Sequence, residues 1–220
     1  MFENFHLPSW FDASSKIEQY LIKLWNKSYL ELYDNDFSET QNITTGTFEQ
    51  DIYNLVQLLN DAQNSEVFHS RIIYLNWVLC LACKPTIDVY CLDKYDTSQL
   101  KFILEKLEQW KTSKIFDQDI LNCQIEIERY PGVIGEAIMV YQNMIEITNN
   151  SLNLIELVLD SIDSCILGAA ICPGSKDKRA IFNWILIEVF PAIYYLKLPA
   201  FIYTYKYEIK QNWSYQKYKA

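Results

Sequence analysis

Between Ile72 and Cys83 the chain contains a single polar residue, Asn76. A helix formed by this stretch would be apolar on every side, and such a helix belongs in the interior of a protein. Pro85 follows two residues later and disfavours helical geometry at Lys84, so we expect the helix to end there. The sequence therefore predicts a buried helix, against which other parts of the chain pack.

Several other segments carry apolar residues at three- and four-residue intervals, the pattern of an amphipathic helix. We predict helices that begin near Ser15 and Thr47, helices over residues 97–111, 117–129, 133–148 and 151–171, and a last helix from the turn at 173–175 to about Leu196. Only five glycines and six prolines interrupt the 220 residues, which favours a few long elements over many short strands. The predicted fold class is all-α, a single-domain bundle of about eight helices that spans residues 1–220.

The C-terminal segment, residues 203–220, differs from the rest of the chain in charge. Its net charge is +3. Because the whole chain has a net charge of −9, the first 202 residues have a net charge of −12. Apolar and polar residues alternate from Phe201 to Ile209, a pattern that suits an edge strand as well as a helix. We prefer a helix, with a short edge strand near the C-terminus as the alternative. This tyrosine-rich tail is either an interface element or a frayed, solvated end.

The net charge of −9 and the isoelectric point near 4.8 bear on which partners the protein can bind. Phosphate backbones are held by concentrated Lys and Arg, so we expect no nucleic-acid binding. An acidic surface instead attracts basic proteins. The best candidate for a membrane span is residues 180–199, but Asn183, Glu188 and Pro191 interrupt it. We expect a buried helix there and no membrane partner.

The N-terminal sequence MFENFHLPSWFDASSK lacks a basic leader followed by an apolar stretch. We therefore expect no secretion signal. Six cysteines in a chain without such a signal favour a reducing compartment. The expected location is the cytoplasm.

Cys80 and Cys83 form a C-x-x-C pair, a spacing found in metal and redox centres. A redox pair needs its first thiol at a helix N-terminus, whereas this pair lies at the C-terminal end of the predicted buried helix. A structural zinc site needs four ligands, and the sequence offers no second close pair of Cys or His. His69, on the same helix, would lie about 16 Å from Cys80. We interpret the pair as core packing and predict no metal and no cofactor.

Glu156, Asp160 and Asp163 lie at positions i, i+4 and i+7 of a predicted helix, so one helix face carries three carboxylates. This face is either a solvated surface or a binding site for a basic protein. A further alternative adds Glu105 and Glu108 from another helix. Together with Asp160 and Asp163 they would hold magnesium, as paired carboxylates do in all-helical pyrophosphohydrolases. That enzyme requires the four acids to converge on one cleft.

Other catalytic chemistry has little support in the sequence. Two histidines leave few general bases for a Ser or Cys nucleophile. The glycine-rich loops that cradle phosphates are also missing from the sequence. We predict no catalytic residues.

Four features follow one another in residues 77–113, which read WVLCLACKPTIDVYCLDKYDTSQLKFILEKLEQWKTS. A buried helix ends in Ala82–Cys83, an aromatic residue follows at Tyr90, an acidic loop spans Asp93 to Asp96, and an amphipathic helix runs from Leu100 to Trp110. In this order the segment resembles the centre of an all-helical immunity protein family found beside bacterial polymorphic toxins. Ser98–Gln99–Leu100 stands where that family has a Pro-Arg pair.

The resemblance implies a cytoplasmic, non-enzymatic antidote that binds one toxin domain and blocks its active site or docking surface. The acidic body of the chain fits a basic toxin domain, since complementary charge speeds capture. The predicted partner-binding residues are Asp93 and Asp96, together with the stripe of Glu156, Asp160 and Asp163. A helical scaffold or regulator without a toxin partner is the further alternative.

Overall fold

The computed structural model describes residues 6–11, 15–30, 47–60, 65–90, 98–113, 125, 130, 132–149, 152–166, 170–171, 178–203 and 216–217. The helices are α1 (Ser15–Leu30), α2 (Thr47–Gln57), α3 (Ser65–Tyr90), α4 (Ser98–Ser113), α5 (Val133–Thr148), α6 (Leu154–Ile166), α7 (Lys178–Trp184), the π-helical segment Ile185–Val189, and α8 (Phe190–Tyr194). Of the described residues 80% are helical, which confirms the all-α class and the approximate number of helices. The helix predicted over residues 117–129 lies outside the described residues, apart from residue 125.

The apolar run that begins at Ile72 lies at the centre of the fold, in α3. Every residue from Arg71 to Cys80 is buried, and α3 packs against α4, α5, α6 and α8. The side chains of Trp77 and Leu79 are fully buried. Burial of each large apolar side chain contributes about 1.5–3 kcal/mol, so this one helix is a main source of stability. The prediction of a buried central helix is confirmed.

α3 is also the one described helix whose length and composition would allow it to cross a membrane. In its most apolar 18-residue window, 72% of the residues are buried inside the protein. The central helix of a soluble bundle has the same length and composition.

α3 runs through Pro85 to Tyr90, so the prediction that it would end at Lys84 is wrong. Proline cannot donate a hydrogen bond to the carbonyl of Leu81, four residues earlier, and its ring crowds that carbonyl. The helix continues because Thr86 and Ile87, beyond the proline, are buried in the core. Their packing offsets the local loss of backbone bonding.

Replacing Pro85 with alanine should raise the free energy of unfolding by about 1 kcal/mol, because the Leu81 carbonyl regains its donor. Part of the gain is lost to the greater freedom of alanine in the unfolded chain. Urea unfolding followed by circular dichroism measures the change. Lys84→Ala is the matched control, since it removes only an exposed ion pair with Asp88 and should shift stability by less than about 0.5 kcal/mol. A less stable Pro85→Ala variant would contradict this account.

α6 is held in one orientation by α5 and α3. Val158, Ile162 and Cys165 form its buried side. The polar side chain of Asn143 on α5 donates hydrogen bonds to the Leu157 carbonyl and to the Ser161 hydroxyl, both at 3.1 Å. A buried amide with two good acceptors fixes the register of two helices. The opposite side of α6 therefore faces solvent.

Arg71 joins α3 to the ends of two other helices. Its Nε donates to the Tyr194 carbonyl at 2.9 Å, and one terminal nitrogen donates to the Leu59 carbonyl at 2.8 Å. Tyr194 ends α8, and Leu59 lies two residues beyond the end of α2, where carbonyls lack intrahelical donors. The guanidinium also lies over the ring of Tyr194, 4.3 Å from its centroid. One buried side chain thus caps two helices.

The last helical stretch changes geometry at Ile185–Val189, where the N–H of Phe190 bonds to the Ile185 carbonyl five residues back. Pro191 follows and has no N–H to donate to Ile187. A wider π-turn directly before a proline relieves the crowding that its ring would cause. This explains why the predicted single helix is divided into α7, the π segment and α8.

β1 (Phe201–Ile202) and β2 (Gln216–Lys217) pair antiparallel, with Phe201 opposite Lys217. At Phe201 and Ile202 the preference for a helix is therefore wrong, and the edge-strand alternative agrees with the structure. Trp184 Nε1 donates to the Phe201 carbonyl at 3.0 Å, and the Trp184 ring packs against the buried Tyr203. These contacts attach β1 to α7. The other residues of the predicted tail lie outside the described residues.

Candidate functional site

Glu156, Asp160 and Asp163 all lie on the exposed side of α6. We call these three residues the acidic face. The spacing i, i+4, i+7 keeps them on one side of the helix. Because the other side of α6 is packed into the core, the three carboxylates are presented to solvent by a fixed backbone.

The stretch of sequence around the acidic face contains no positive charge. Residues 130–175, which include α5 and α6, hold five carboxylates and no Lys, Arg or His. Within the described residues, Glu156 and Asp160 have no hydrogen-bond or ion-pair partner. Exposed charges of one sign that are not neutralised by neighbours sum to a potential that attracts the opposite charge.

An exposed apolar side chain precedes the acidic face in the sequence. Leu152 is fully exposed, two residues before α6 begins and four residues before Glu156. Burial of a leucine against a partner contributes about 1.5–3 kcal/mol, which is not realised in the isolated chain. An apolar contact next to charged residues is a common arrangement in protein interfaces.

Asp93 and Asp96, the other predicted partner-binding residues, lie outside the described residues. Of the four acids in the enzyme alternative, Glu105 and Glu108 lie on the exposed side of α4. Among the described residues, no group of three or more His, Cys, Asp or Glu is placed to hold a metal ion. The structure therefore does not bring Glu105 and Glu108 together with Asp160 and Asp163 in a metal cluster.

The C-x-x-C pair lies deep in the protein. Cys80 and Cys83 are fully buried free thiols, and burial raises the pKa of Cys80 well above its ordinary value. The Cys80 thiol donates to the Val140 carbonyl at 3.6 Å. The interpretation of this pair as core packing is confirmed. Sequence reasoning missed the third thiol at this place, Cys165, whose Sγ lies 3.6 Å from Cys83 Sγ.

Two further ionisable residues, His69 and Glu188, belong to neither the acidic face nor the group of thiols. His69 on α3 is half-buried, and its Nε2 lies 2.9 Å from the Ile147 carbonyl near the end of α5. Glu188 lies in the π-helical segment, where partial burial raises the pKa of its carboxyl group. π-turns often occur at functional sites, but the structure places no second chemical group beside Glu188 within the described residues.

A second surface is formed by residues 6–11 and the end of α8. The rings of Trp10, Phe11, Tyr194 and Tyr195 pack edge to face, with centroids 5.4–6.4 Å apart. Trp10 is 47% exposed. An adjoining groove of about 400 Å³ is lined by His6, Leu7, Pro8, Ser9, Phe11, Glu18 and Ile22. Its lining comes from two neighbouring parts of the chain, residues 6–11 and α1.

Comparison with known proteins gives no further information about the site: no family model, no curated protein and no solved structure matches this chain. The resemblance of residues 77–113 to the immunity family therefore stays a prediction.

Proposed function

We propose that this chain is a non-enzymatic binding protein that captures a basic protein domain on its acidic face. The observation that carries the proposal is the presentation of Glu156, Asp160 and Asp163 on the solvent side of a helix whose other side is fixed in the core. The partner we propose is a basic toxin domain, which the chain neutralises by covering its active site or docking surface. Such an antidote acts in the cytoplasm, where the toxin would otherwise act.

Three properties of the acidic face support this function. A helix that is already ordered loses little conformational entropy on binding, so more of the contact energy remains as affinity. The exposed carboxylates of Glu156 and Asp160 raise the rate of encounter with a partner of opposite charge. Leu152 offers an apolar contact that becomes buried only when a partner covers it. Occlusion needs no turnover.

Charge reversal tests the face directly. Glu156→Lys/Asp160→Lys should slow association with a basic toxin domain about tenfold at low ionic strength, because the steering field is reversed where contact forms. The difference should shrink as salt is added, since exposed charges are then screened. Stopped-flow association rates against a panel of purified basic toxin domains, including any encoded beside this chain's gene, give the measurement.

The matched control is Glu18→Lys/Glu105→Lys, which changes the net charge of −9 by the same amount at exposed positions on α1 and α4. This variant should slow association less than about threefold, as a distant change in charge does. Equal effects of the two variants would show that total charge, rather than the acidic face, governs binding. If no domain of the panel binds the unaltered chain, the proposed function is wrong.

A further inference from the structure

Three buried thiols lie where α3 packs against α6. Cys80, Cys83 and Cys165 are each fully buried and free. Cys80 directs its thiol to the Val140 carbonyl, whereas the Sγ atoms of Cys83 and Cys165 lie 3.6 Å apart, and one donates its S–H to the other. The three thiols are thus not equivalent, and Cys83 and Cys165 form the pair.

The distance between the two sulfur atoms is close to van der Waals contact. A disulfide requires about 2 Å between them, so a bond needs an approach of roughly 1.5 Å. Small side-chain rotations and a slight shift of the two helices can supply this approach. α3 and α6 pack directly against each other, so a short approach is enough.

An oxidant must also reach the pair: Cys165 lies at the end of α6, and Cys83 lies about two turns before the end of α3. Pro85, two residues after Cys83, removes a hydrogen bond from the last turns of α3. Cys165 is the penultimate residue of α6, where the final carbonyls lack intrahelical donors. Local opening at these two helix ends can expose both thiols without unfolding the rest of the protein.

We propose that Cys83 and Cys165 are a latent disulfide, which a peroxide converts into a covalent link between α3 and α6. In the locally opened state, where the thiols are hydrated and can ionise, one of them attacks a peroxide oxygen as its thiolate, which gives a sulfenic acid and releases the first water after protonation. The second thiol attacks the sulfenic sulfur, so the S–S bond forms and a second water leaves. The two thiols lose two electrons and two protons in all, and one hydrogen peroxide becomes two waters.

The link would join two residues separated by 82 positions and would enclose α4 and α5. Closure of so long a loop restricts the unfolded chain strongly, so the oxidised protein should be the more stable form. α6, which carries the acidic face, would be tied covalently to the central helix. This inference does not depend on the proposed function, because its test needs no partner.

The experiment is oxidation of the purified, full-length chain with hydrogen peroxide, followed by alkylation of the remaining thiols, digestion and tandem mass spectrometry. We expect a peptide pair that links Cys83 to Cys165, a loss of about 2 Da in the intact mass before alkylation, and reversal by a reductant. The melting temperature should rise by about 5–10 °C on oxidation.

Two variants complete the test. Cys165→Ala should lose both the link and the rise in melting temperature, whereas Cys80→Ala should keep both. The proposal is overturned if peroxide leaves Cys83 and Cys165 as thiols, converts them to sulfinic acids without a link, or joins either of them to another cysteine instead. The peptide map of the unaltered chain decides the question even if a variant fails to fold.

Discussion

Replacing Arg71 with methionine should lower the free energy of unfolding by about 3–5 kcal/mol, among the largest effects of any single substitution in this chain. The side chain is only 9% exposed and donates to the Tyr194 and Leu59 carbonyls. Its loss leaves two acceptors at helix ends without donors, and each unsatisfied buried acceptor costs about 1–3 kcal/mol. The contact of the guanidinium with the ring of Tyr194 is lost as well.

Urea unfolding of the unaltered chain and of the Arg71→Met variant measures this change. Arg71→Lys keeps the charge but cannot reach two carbonyls with a rigid planar group, so we expect it to recover less than half of the loss. Lys101→Met on the exposed side of α4 is the matched control for removal of a positive charge and should change stability by less than about 0.5 kcal/mol. If Arg71→Met and Lys101→Met lower the free energy of unfolding by the same amount, Arg71 does not cap the two helices.

A rise in pH from 8 to 10 should lower the free energy of unfolding by about 4 kcal/mol, the second large effect. Burial raises the pKa of both Cys80 and Cys165 well above the ordinary thiol value. In the unfolded chain these thiols ionise near about pH 8.5, whereas burial in the folded protein keeps them protonated to a higher pH. The unfolded state therefore binds fewer protons above that pH and is favoured increasingly as the pH rises. The slope from each thiol is small at pH 8 and approaches about 1.4 kcal/mol per pH unit near pH 10, so each thiol contributes about 2 kcal/mol over this range.

Stability contributed by the two thiols is fully present below about pH 8.5 and is lost as the pH rises towards their folded-state pKa values. Urea unfolding at pH 8, 9 and 10, with a reductant present, gives the slope. Cys80→Ala should reduce that slope by about half, whatever its own effect on stability at pH 8. Burial also raises the pKa of Tyr141 well above its usual value, so a further loss should begin above about pH 10. A free energy of unfolding that stays constant from pH 8 to 10 would contradict the raised pKa values of the two thiols.

The features that were predicted correctly depend on patterns within a single helix. The apolar run from Ile72 to Cys83 predicts a central helix because no side of it suits solvent. The spacing of Glu156, Asp160 and Asp163 predicts one exposed helix face, since three- and four-residue steps return to the same side. These periodicities are local, so one sequence is enough to detect them.

The features that sequence reasoning missed depend on contacts between distant segments. Arg71 bonds to carbonyls 12 and 123 residues away, and Cys83 meets Cys165 at a separation of 82 residues. The course of α3 beyond Pro85 was predicted wrongly for a related reason. A local rule for proline was outweighed by the burial of Thr86 and Ile87, which depends on the packing of other helices. Such contacts follow from the fold and leave no pattern in the sequence.

The lack of positive charge in residues 130–175 also determines where the chain can be cut. A protease that cleaves after Lys or Arg has sites at Arg129 and Lys176 and no site between them. Even from the fully unfolded chain, such a protease releases α5, α6 and the acidic face as a single fragment. No protease of that specificity can therefore cut within α5 or α6. The same charge pattern is the one that we propose attracts a basic partner.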